Sequence, residues 1–509
     1  MDAGPIEALR DDLDAAGFGV DAVASMLGAA ADDARARGVF APARLALQAR
    51  EPSALGGLIG LFLLGDELNE ERLRLALPSL GAAGAQRLGL VERSASGGFR
   101  AAVSLNPVGI EGAEWRIVSD LDDQLRRGPA RPDHVMGVGG ATRSLIAQMP
   151  GRAVGAALDL GTGCGIVAMH LALAGAERVI ATDVSERALG LARLNARLNS
   201  LADRIEFRSG SLFEPVEGER FDLVLSNPPF VITPRDGVVP QYEYRDAGLS
   251  ADDLIRSVVT RGPALLRPGG ALLCLANWEY RWGESGLERV RGWIERAAAS
   301  CGPLDAWAIE RERLEPARYA ETWARDGGAR PGDERFESLM ESWLRDFSAR
   351  RVVSVGMGSI RVRRGAGDSS GASPTVRLEH ASERFAAAPG AALDAAMTAG
   401  AAASRMTDEQ LLERCWVRSD AVSEHREHRP GEESPRSISL HVSRPLERTV
   451  HADPLLAAAV GACDGELSLA RIADALATLL EADAAACAEA LAESVRELAW
   501  LGVLAPAAR

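Results

Sequence analysis

The chain has 509 residues, more than one ordinary domain holds, and its 47% hydrophobic and 25% charged residues are typical of a globular protein. Its six cysteines are scattered, with no Cys-x-x-Cys pair and no histidine at metal-ligand spacing, so we expect neither disulfides nor a metal site. The net charge is −15 and no long region is basic overall, which argues against a protein that grips a long nucleic acid duplex.

The beginning of the chain is acidic, with Asp11, Asp12 and Asp14 instead of a basic segment followed by an apolar one. No uncharged apolar run reaches about 18 residues, the length that a membrane-spanning helix needs. We therefore expect no signal peptide, no transmembrane helix and a cytoplasmic location.

Residues 1–135 are predicted to form a mainly helical domain that ends in short strands around a turn at residues 94–98. Helices followed by a short hairpin are typical of a winged-helix-like module. Such a module could dock a substrate or cover a site, or it could bind DNA. The acidity of this region favours docking.

Residues 136–365 alternate strand-like and helix-like segments, the pattern of a doubly wound α/β sheet. Between the last two strands, residues 311–350 are too long for a hairpin loop and are predicted to be a helical insertion near the rim of the site. Its aromatic residues are spaced like the core of a helical pair. The seven predicted strands are 156–160, 178–182, 205–208, 221–226, 270–276, 304–310 and 352–361.

Residues 366–450 are predicted to be a linker and accessory segment, including a polar stretch at 423–436. Residues 451–509 show three helix-like segments and a final apolar stretch. This pattern again indicates a winged-helix-like domain, which could contact a partner or pack on the sheet.

A glycine-rich loop, residues 161–165, follows the first predicted strand and opens a helix. Gly161, Gly163 and Gly165 allow a tight turn and let the backbone approach a ligand with no Cβ in the way. The helix that follows points its N-terminus at the loop and suits a carboxylate. Asp159, at the end of the strand, is placed to order the loop and to hold the amino-acid portion of a ligand through water.

The ends of the next two strands carry further candidate ligand contacts. Asp183 follows the second strand, where an acidic side chain can accept hydrogen bonds from both hydroxyls of a ribose. Ser211 and Leu212 follow the third strand, where an adenine ring would be gripped.

The fourth strand runs directly into Asn227-Pro228-Pro229-Phe230. The two prolines fix an extended backbone, which holds the asparagine at the carboxyl edge of the sheet. The amide oxygen of Asn227 and the carbonyl of Pro228 can accept two N–H bonds from an –NH2 group, and Phe230 can stack on a flat amide or base. The arrangement predicts catalysis by alignment of a weakly nucleophilic planar nitrogen, without a metal.

Together these motifs resemble class I S-adenosylmethionine-dependent methyltransferases with an Asn-Pro-Pro-Phe motif. The resemblance implies a seven-stranded sheet whose last two strands are antiparallel, and S-adenosyl-L-methionine as cofactor. It implies cofactor contacts from Thr142, Asp159, the three loop glycines, Asp183, Ser211, Leu212 and Asn227, and catalytic roles for the four motif residues. Where this chain has Ser211, the family commonly has an aspartate that accepts from the adenine amino group.

Within this group the chain looks most like the release-factor glutamine N5-methyltransferases and the small methyltransferase domain family. Thr233-Pro234 after the motif and the segment 244–249 carry this resemblance. It implies methylation of a glutamine side chain in a protein such as a translation factor. Phe230 is more usual in enzymes that methylate base amino groups of ribosomal or transfer RNA, which is the alternative substrate. A catalytically degenerate scaffold is a third hypothesis.

Overall fold

A computed structural model describes residues 3–126, 131–152, 154–239, 251–365 and 373–507. Strand and helix numbers below follow these described residues. Within them, no helix has both the length and the apolar surface that crossing a bilayer requires.

The N-terminal region begins with a group of short helices and ends in two β-hairpins. A buried π-helical turn, Ile59–Leu63, follows the fifth helix. The helices are α1 (Ala3–Ala15), α2 (Val20–Leu27), α3 (Ala29–Ala36), α4 (Ala41–Gln48), α5 (Ala54–Leu58), α6 (Glu70–Ala76) and α7 (Gly81–Arg87). Strands β1 (Val91–Arg93) and β2 (Phe99–Ala101) form the first hairpin, and β3 (Ser104–Ile110) and β4 (Ala113–Ser119) form the second.

The central region contains one large sheet with helices on both faces. Its elements are α8 (Gly140–Ala147), β5 (Ala156–Leu160), α9 (Ile166–Leu173), β6 (Arg178–Asp183), α10 (Glu186–Leu198), β7 (Ile205–Ser209), β8 (Phe221–Ser226), α11 (Asp253–Arg261), β9 (Leu266–Arg281), α12 (Gly286–Cys301), β10 (Leu304–Leu314), α13 (Pro316–Asp326), α14 (Glu334–Ala349) and β11 (Val352–Arg364). Every residue of β5 is buried, because a central parallel strand is covered by helices on both faces.

The sheet has the order β7-β6-β5-β8-β9-β11-β10, and a further strand lies outside β10. Strand β11 runs antiparallel to both of its neighbours, and the other pairings among these strands are parallel. The antiparallel pairing of the last two predicted strands is thereby confirmed. The order brings the carboxyl ends of β5, β6 and β8 to one edge of the sheet.

The predicted bounds of β5 and β8 agree with the structure, whereas β9, β10 and β11 are longer than predicted. Strand β9 has 16 residues because its polar end, including Asn277 and Glu279, remains buried. Those side chains are hydrogen-bonded or ion-paired beneath α13 and α14. A prediction based on apolar residues therefore ends β9 too early, because the last residues of this strand include polar ones that are buried.

The residues between β10 and β11 form the helical pair α13 and α14, which packs on β11. Tyr319 and Trp343 are fully buried in the core of this pair, and Phe336 is 7% exposed. This confirms that the aromatic residues of the segment serve as a core.

The prediction that residues 366–450 are a linker and accessory segment is wrong for much of this range. Strand β12 (Thr375–His380) pairs in parallel with β10 and adds an eighth strand to the sheet. Every residue of β12 is only partly buried or exposed, so it lacks the apolar run that marks the inner strands. The first residues of the polar stretch at 423–436 belong to a strand. The neighbouring strand in the same small sheet carries the apolar side chains that face the core.

The remaining elements pack around the outer part of the sheet and form a C-terminal group of helices. They are α15 (Gly390–Arg405), α16 (Asp408–Glu413), β13 (Cys415–Arg418), β14 (Val422–Glu427), β15 (Ser437–Val442), β16 (Arg448–Ala452), α17 (Pro454–Ala462), β17 (Asp464–Ser468), α18 (Leu469–Leu479), α19 (Ala484–Trp500) and β18 (Leu504–Pro506). Trp500 of α19 contacts Trp307 of β10 edge to face, with ring centroids 5.5 Å apart.

Candidate functional site

A cavity of about 300 Å³ lies at the carboxyl edge of β5, β6 and β8. Open α/β sheets bind ligands at this edge. Most of the candidate residues line it, and they come from five separate segments of the chain. The lining includes Thr142, Asp159, Gly161, Gly163, Asp183, Ser211, Leu212, Asn227, Pro228 and Pro229.

The glycine loop forms one wall of the cavity. Gly161 and Gly163 have φ angles of 76° and 53°, and a Cβ added at either would meet nothing within 4 Å. The backbone there is left-handed and open, as close approach of a ligand requires. Gly165 differs, because it does not line the cavity and an added Cβ would lie 2.9 Å from the Cβ of Ala192 on α10. Its predicted role as a ligand contact is not what the structure shows; it allows close helix packing.

Asp159 lies beneath the loop and is 1% exposed. Its Oδ2 accepts a hydrogen bond of 2.5 Å from the Thr162 hydroxyl and one of 3.0 Å from the backbone N–H of Ala168. Burial is the main cause that raises the pKa of Asp159 to about 7, and the nearby charge of Asp183 adds to the effect. These bonds order the turn from β5 into α9.

Asp183 connects the glycine loop to the next turn. Its Oδ2 accepts from the N–H of Gly163 at 2.9 Å, and its Oδ1 accepts from the N–H of Ser185 at 2.9 Å. The carboxylate therefore holds the glycine loop and the turn after β6 in a fixed relation to each other. The side chain is half-buried and borders the cavity.

The turn after β7 closes the far end of the cavity. Leu212 has a φ angle of 49°, a left-handed conformation that is uncommon for a leucine and concentrates at functional sites. Ser211 beside it is exposed and borders the cavity. The structure therefore places both residues where the sequence analysis expected an adenine contact.

Asn227 lies on the opposite wall, directly after β8. Its Nδ2 donates to the hydroxyl of Thr142 on α8 at 3.1 Å. Its Oδ1 is buried and accepts no hydrogen bond from the described residues. Because a buried acceptor without a partner is unfavourable, this oxygen is suited to an N–H donor supplied by a ligand. The bond to Thr142 fixes which end of the amide faces that donor.

The rest of the motif divides between the cavity and the core. Pro228 and Pro229 line the cavity. Phe230 does not line it, and its ring lies edge to face with Trp323 of α13, with centroids 6.5 Å apart. The ring of Phe230 thus packs against the insertion helix, and its predicted stacking on a substrate stays a prediction.

The helical insertion also holds the segment after the motif. The N–H of Ile232 donates to the hydroxyl of Tyr319 at 3.0 Å, and the carbonyl of Ile232 accepts from Nε1 of Trp343 at 2.9 Å. Asn277 of β9 donates to the same tyrosine oxygen at 2.9 Å. These bonds fix the backbone that leaves the cavity. The segment 244–249, which contributed to the predicted substrate, lies outside the described residues.

Sequence reasoning missed the apolar wall supplied by α11. Leu254 and Val258 line the cavity from one face of α11, and their spacing of four residues is the signal that could have found them. His134 and Met136 line it from the segment before α8. Burial lowers the pKa of His134.

Two parts of the chain match families. Residues 136–299 match the family described as Methyltransferase small domain. Residues 15–102 match a domain of unknown function, DUF7059.

Two similar proteins are both named as glutamine methyltransferases, and each aligns with only part of this chain. A release factor glutamine methyltransferase of Xylella fastidiosa is 37% identical over 128 residues, which cover 24% of this chain and 46% of that protein. A ribosomal protein uL3 glutamine methyltransferase of Bordetella pertussis is 33% identical over 153 residues, covering 28% of this chain and 51% of that protein. The chain thus spans about half the length of the curated relatives it matches.

Among solved structures, the ribosomal protein L11 methylase of Lactobacillus delbrueckii aligns with 16% identity and a TM-score of 0.24, covering 44% of this chain and 79% of that chain. A likeness of this size adds nothing to the argument from the fold itself. The match to the methyltransferase small domain family, residues 136–299, covers most of the large sheet and most of the residues that line the cavity at its carboxyl edge.

Proposed function

We propose that the chain is an S-adenosylmethionine-dependent N-methyltransferase that acts on the side-chain amide of a glutamine in a protein. The observation that carries the proposal is the buried Oδ1 of Asn227, an acceptor at the cavity wall that no described residue satisfies. A planar –NH2 group is the donor that such an acceptor fits.

The residues present fit the proposed cofactor. Gly161 and Gly163 leave open space above their backbone, and Asp183 offers carboxylate oxygens at the cavity surface. Leu254 and Val258 add an apolar wall on which a flat ring can lie. When bound, S-adenosylmethionine supplies a methyl group on a sulfonium, a leaving group that needs no metal to activate it.

On the target side, Asn227 binds and orients the nitrogen. An amide nitrogen is weakly nucleophilic because its lone pair is delocalised into the carbonyl. Accepting one of its N–H bonds at Oδ1 fixes the plane of the amide and draws electron density toward nitrogen. Thr142 holds Nδ2 and so prevents the asparagine amide from turning its N–H groups toward the target.

The choice of a glutamine amide over a nucleobase is supported by three observations. The similar proteins are named for glutamine methylation of a release factor and of a ribosomal protein. Phe230 packs edge to face against Trp323 and does not line the cavity, so its ring gives no support to a base over an amide. The net charge of −15 gives no general attraction for RNA.

The test is to incubate the full chain with methyl-labelled S-adenosylmethionine and an extract of cells that lack the gene, and then to divide the reaction. One half receives RNase and the other receives protease. We expect the label to survive RNase and to be lost to protease. Mass spectrometry of the labelled peptide should then place a methyl group on a glutamine nitrogen, and Asn227→Ala serves as the matched control.

Label that RNase removes would contradict the protein substrate and support a base amino group. Binding of the cofactor with no label in any fraction would contradict catalysis and support a scaffold.

A further inference from the structure

Asn195, on α10, is fully buried and has all the polar atoms of its amide engaged. Its Oδ1 accepts from the N–H of Val118 at 2.8 Å, and its Nδ2 donates to the carbonyl of Val118 at 2.8 Å. The same Nδ2 also donates to the carbonyl of Cys164 at 2.9 Å. Val118 belongs to β4 of the N-terminal region, and Cys164 belongs to the glycine loop. One side chain thus joins the N-terminal region to the wall of the cavity.

A second asparagine one helical turn later repeats half of this arrangement. Asn199 accepts from the N–H of Arg116 at 2.9 Å and donates to the carbonyl of Arg116 at 2.9 Å. Four residues of helix rise about 6 Å and two residues of strand about 6.8 Å, so the two amides match alternate residues of β4. They occupy the edge of β4 that β3 leaves open. Among the described residues, the Asn199 side chain makes no hydrogen bond to the glycine loop, and so it provides a natural comparison.

Helix α10 also packs directly on the loop that Asn195 bonds. An added Cβ at Gly165 would lie 2.9 Å from the Cβ and 3.1 Å from the Cα of Ala192. The loop therefore cannot shift toward α10, and the bond to the carbonyl of Cys164 prevents it from moving away. A buried carbonyl that lost this bond would favour another position of the loop.

The chain after β4 reaches a second wall of the same cavity. Asp120 accepts from the N–H of Val135 at 2.8 Å and pairs with the guanidinium of Arg187 at the start of α10. Val135 lines the cavity next to His134. The end of β4 and the residue after it are therefore bonded to α10 at two places. The bond at Asn195 leads to the glycine loop, and the ion pair at Arg187 leads through Asp120 to the wall at Val135.

We propose that Asn195 is a positioning residue that couples β4 of the N-terminal region to the glycine loop, so that cofactor binding and the seating of β4 stabilise each other. The inference rests on the proposed function only in naming the cofactor. Coupling of this kind is reciprocal. If the seating of β4 increases the affinity for the cofactor, then cofactor binding stabilises β4 by the same free energy.

The test compares Asn195→Ala with Asn199→Ala in the full chain. Calorimetric titration with S-adenosylmethionine should give a dissociation constant raised about tenfold by Asn195→Ala, and within about twofold of wild type for Asn199→Ala. Both variants lose bonds to β4, and only the first loses the bond to Cys164. Asn195→Ser, which leaves room for a water molecule, should recover part of the affinity.

Hydrogen exchange gives a readout that a purely structural role would not produce. Adding S-adenosylmethionine should slow exchange of the amides in residues 113–119 in wild type and in Asn199→Ala. In Asn195→Ala the same amides should exchange at a rate independent of the cofactor. The wild-type measurement needs no variant to fold: cofactor binding with no change in β4 exchange would overturn the coupling.

The two proposals fail differently. Equal affinity in wild type and both variants contradicts the role of Asn195 and leaves the methyltransferase proposal intact. Absence of cofactor binding by the wild-type chain contradicts the methyltransferase proposal itself.

Discussion

The two walls of the cavity differ in how their polar side chains are used. On the cofactor wall, Asp159 and Asp183 accept at least four hydrogen bonds from the described residues. On the target wall, Asn227 donates to Thr142, and its oxygen accepts no hydrogen bond from the part of the chain that the structure describes. The cofactor wall is therefore built to keep its shape, whereas the target wall keeps an acceptor for something else. Changes on the two walls should consequently have separable effects.

The largest expected effect is on turnover when the target wall loses its acceptor. Asn227→Ala should lower the single-turnover rate about a hundred- to a thousandfold, as removal of one transition-state hydrogen bond does. Cofactor affinity should change little, because the free oxygen faces the target. If the variant methylates at the wild-type rate, the two walls do not have the separate roles described here.

Asn227→Asp is the control for charge on this wall. It keeps the shape and the acceptor, but it places a negative charge beside the proposed sulfonium and removes the donor to Thr142. We expect unchanged or tighter cofactor binding together with slow turnover, which calorimetry and single-turnover kinetics measure together.

A smaller effect is expected on the cofactor wall. Asp183→Ala should weaken cofactor binding by about 1–3 kcal/mol through lost hydrogen bonds to a charged acceptor. Part of this loss is indirect, because the carboxylate also accepts the hydrogen bond from the N–H of Gly163 that fixes the glycine loop. Asp183→Asn retains an acceptor and should lose less. Calorimetry that finds unchanged affinity in a folded Asp183→Ala would exclude our placement of the ribose.

Thr142 sharpens the comparison because it is predicted to contact the cofactor, lines the cavity, and also accepts a hydrogen bond from Asn227. Thr142→Val keeps the shape and removes the hydroxyl, so the asparagine amide is free to turn. We expect turnover to fall about tenfold with cofactor affinity nearly unchanged, the net value of one hydrogen bond. Thr142→Ser should restore the rate. If Thr142→Val instead lowered cofactor affinity and left turnover unchanged, Thr142 would be a cofactor contact.

The last effect is on stability, not on binding or turnover, and it concerns pH. Burial raises the pKa of Asp159 to about 7, whereas the unfolded chain releases this proton near pH 4. The native state therefore binds more protons between these values, and its free energy of unfolding should fall as pH rises from about 4 to 7, by at most about 1.4 kcal/mol per pH unit. Above pH 7 the effect is complete. Urea unfolding of Asp159→Asn, which has no such proton, should lack this slope.

Sequence patterns were most successful where one physical signal dominates. The inner strands β5 and β8 are mostly apolar and almost entirely buried, and their bounds were predicted correctly. The glycine loop, Asp183 and Asn227 follow strand ends, so their meeting at one edge follows from the parallel sheet.

Failures occurred where tertiary contacts override the local pattern. Strand β12 is recognisable only from its pairing with β10. Gly165 has the same freedom as its neighbours in sequence, and only the position of Ala192 shows that it serves packing. Phe230 packs against Trp323, nearly a hundred residues later in the chain, a contact that no motif could indicate.

The central claim is that the two walls of the cavity act separately, and it is tested most directly by measuring two quantities on the same two variants. Cofactor dissociation constants and single-turnover rates at saturating cofactor should be determined for Asp183→Ala and Asn227→Ala. The account predicts that the first variant is defective in affinity and close to wild type in rate, and that the second is the reverse. If both variants lose affinity and rate in the same proportion, the walls are not separable and the role given to Asn227 is wrong.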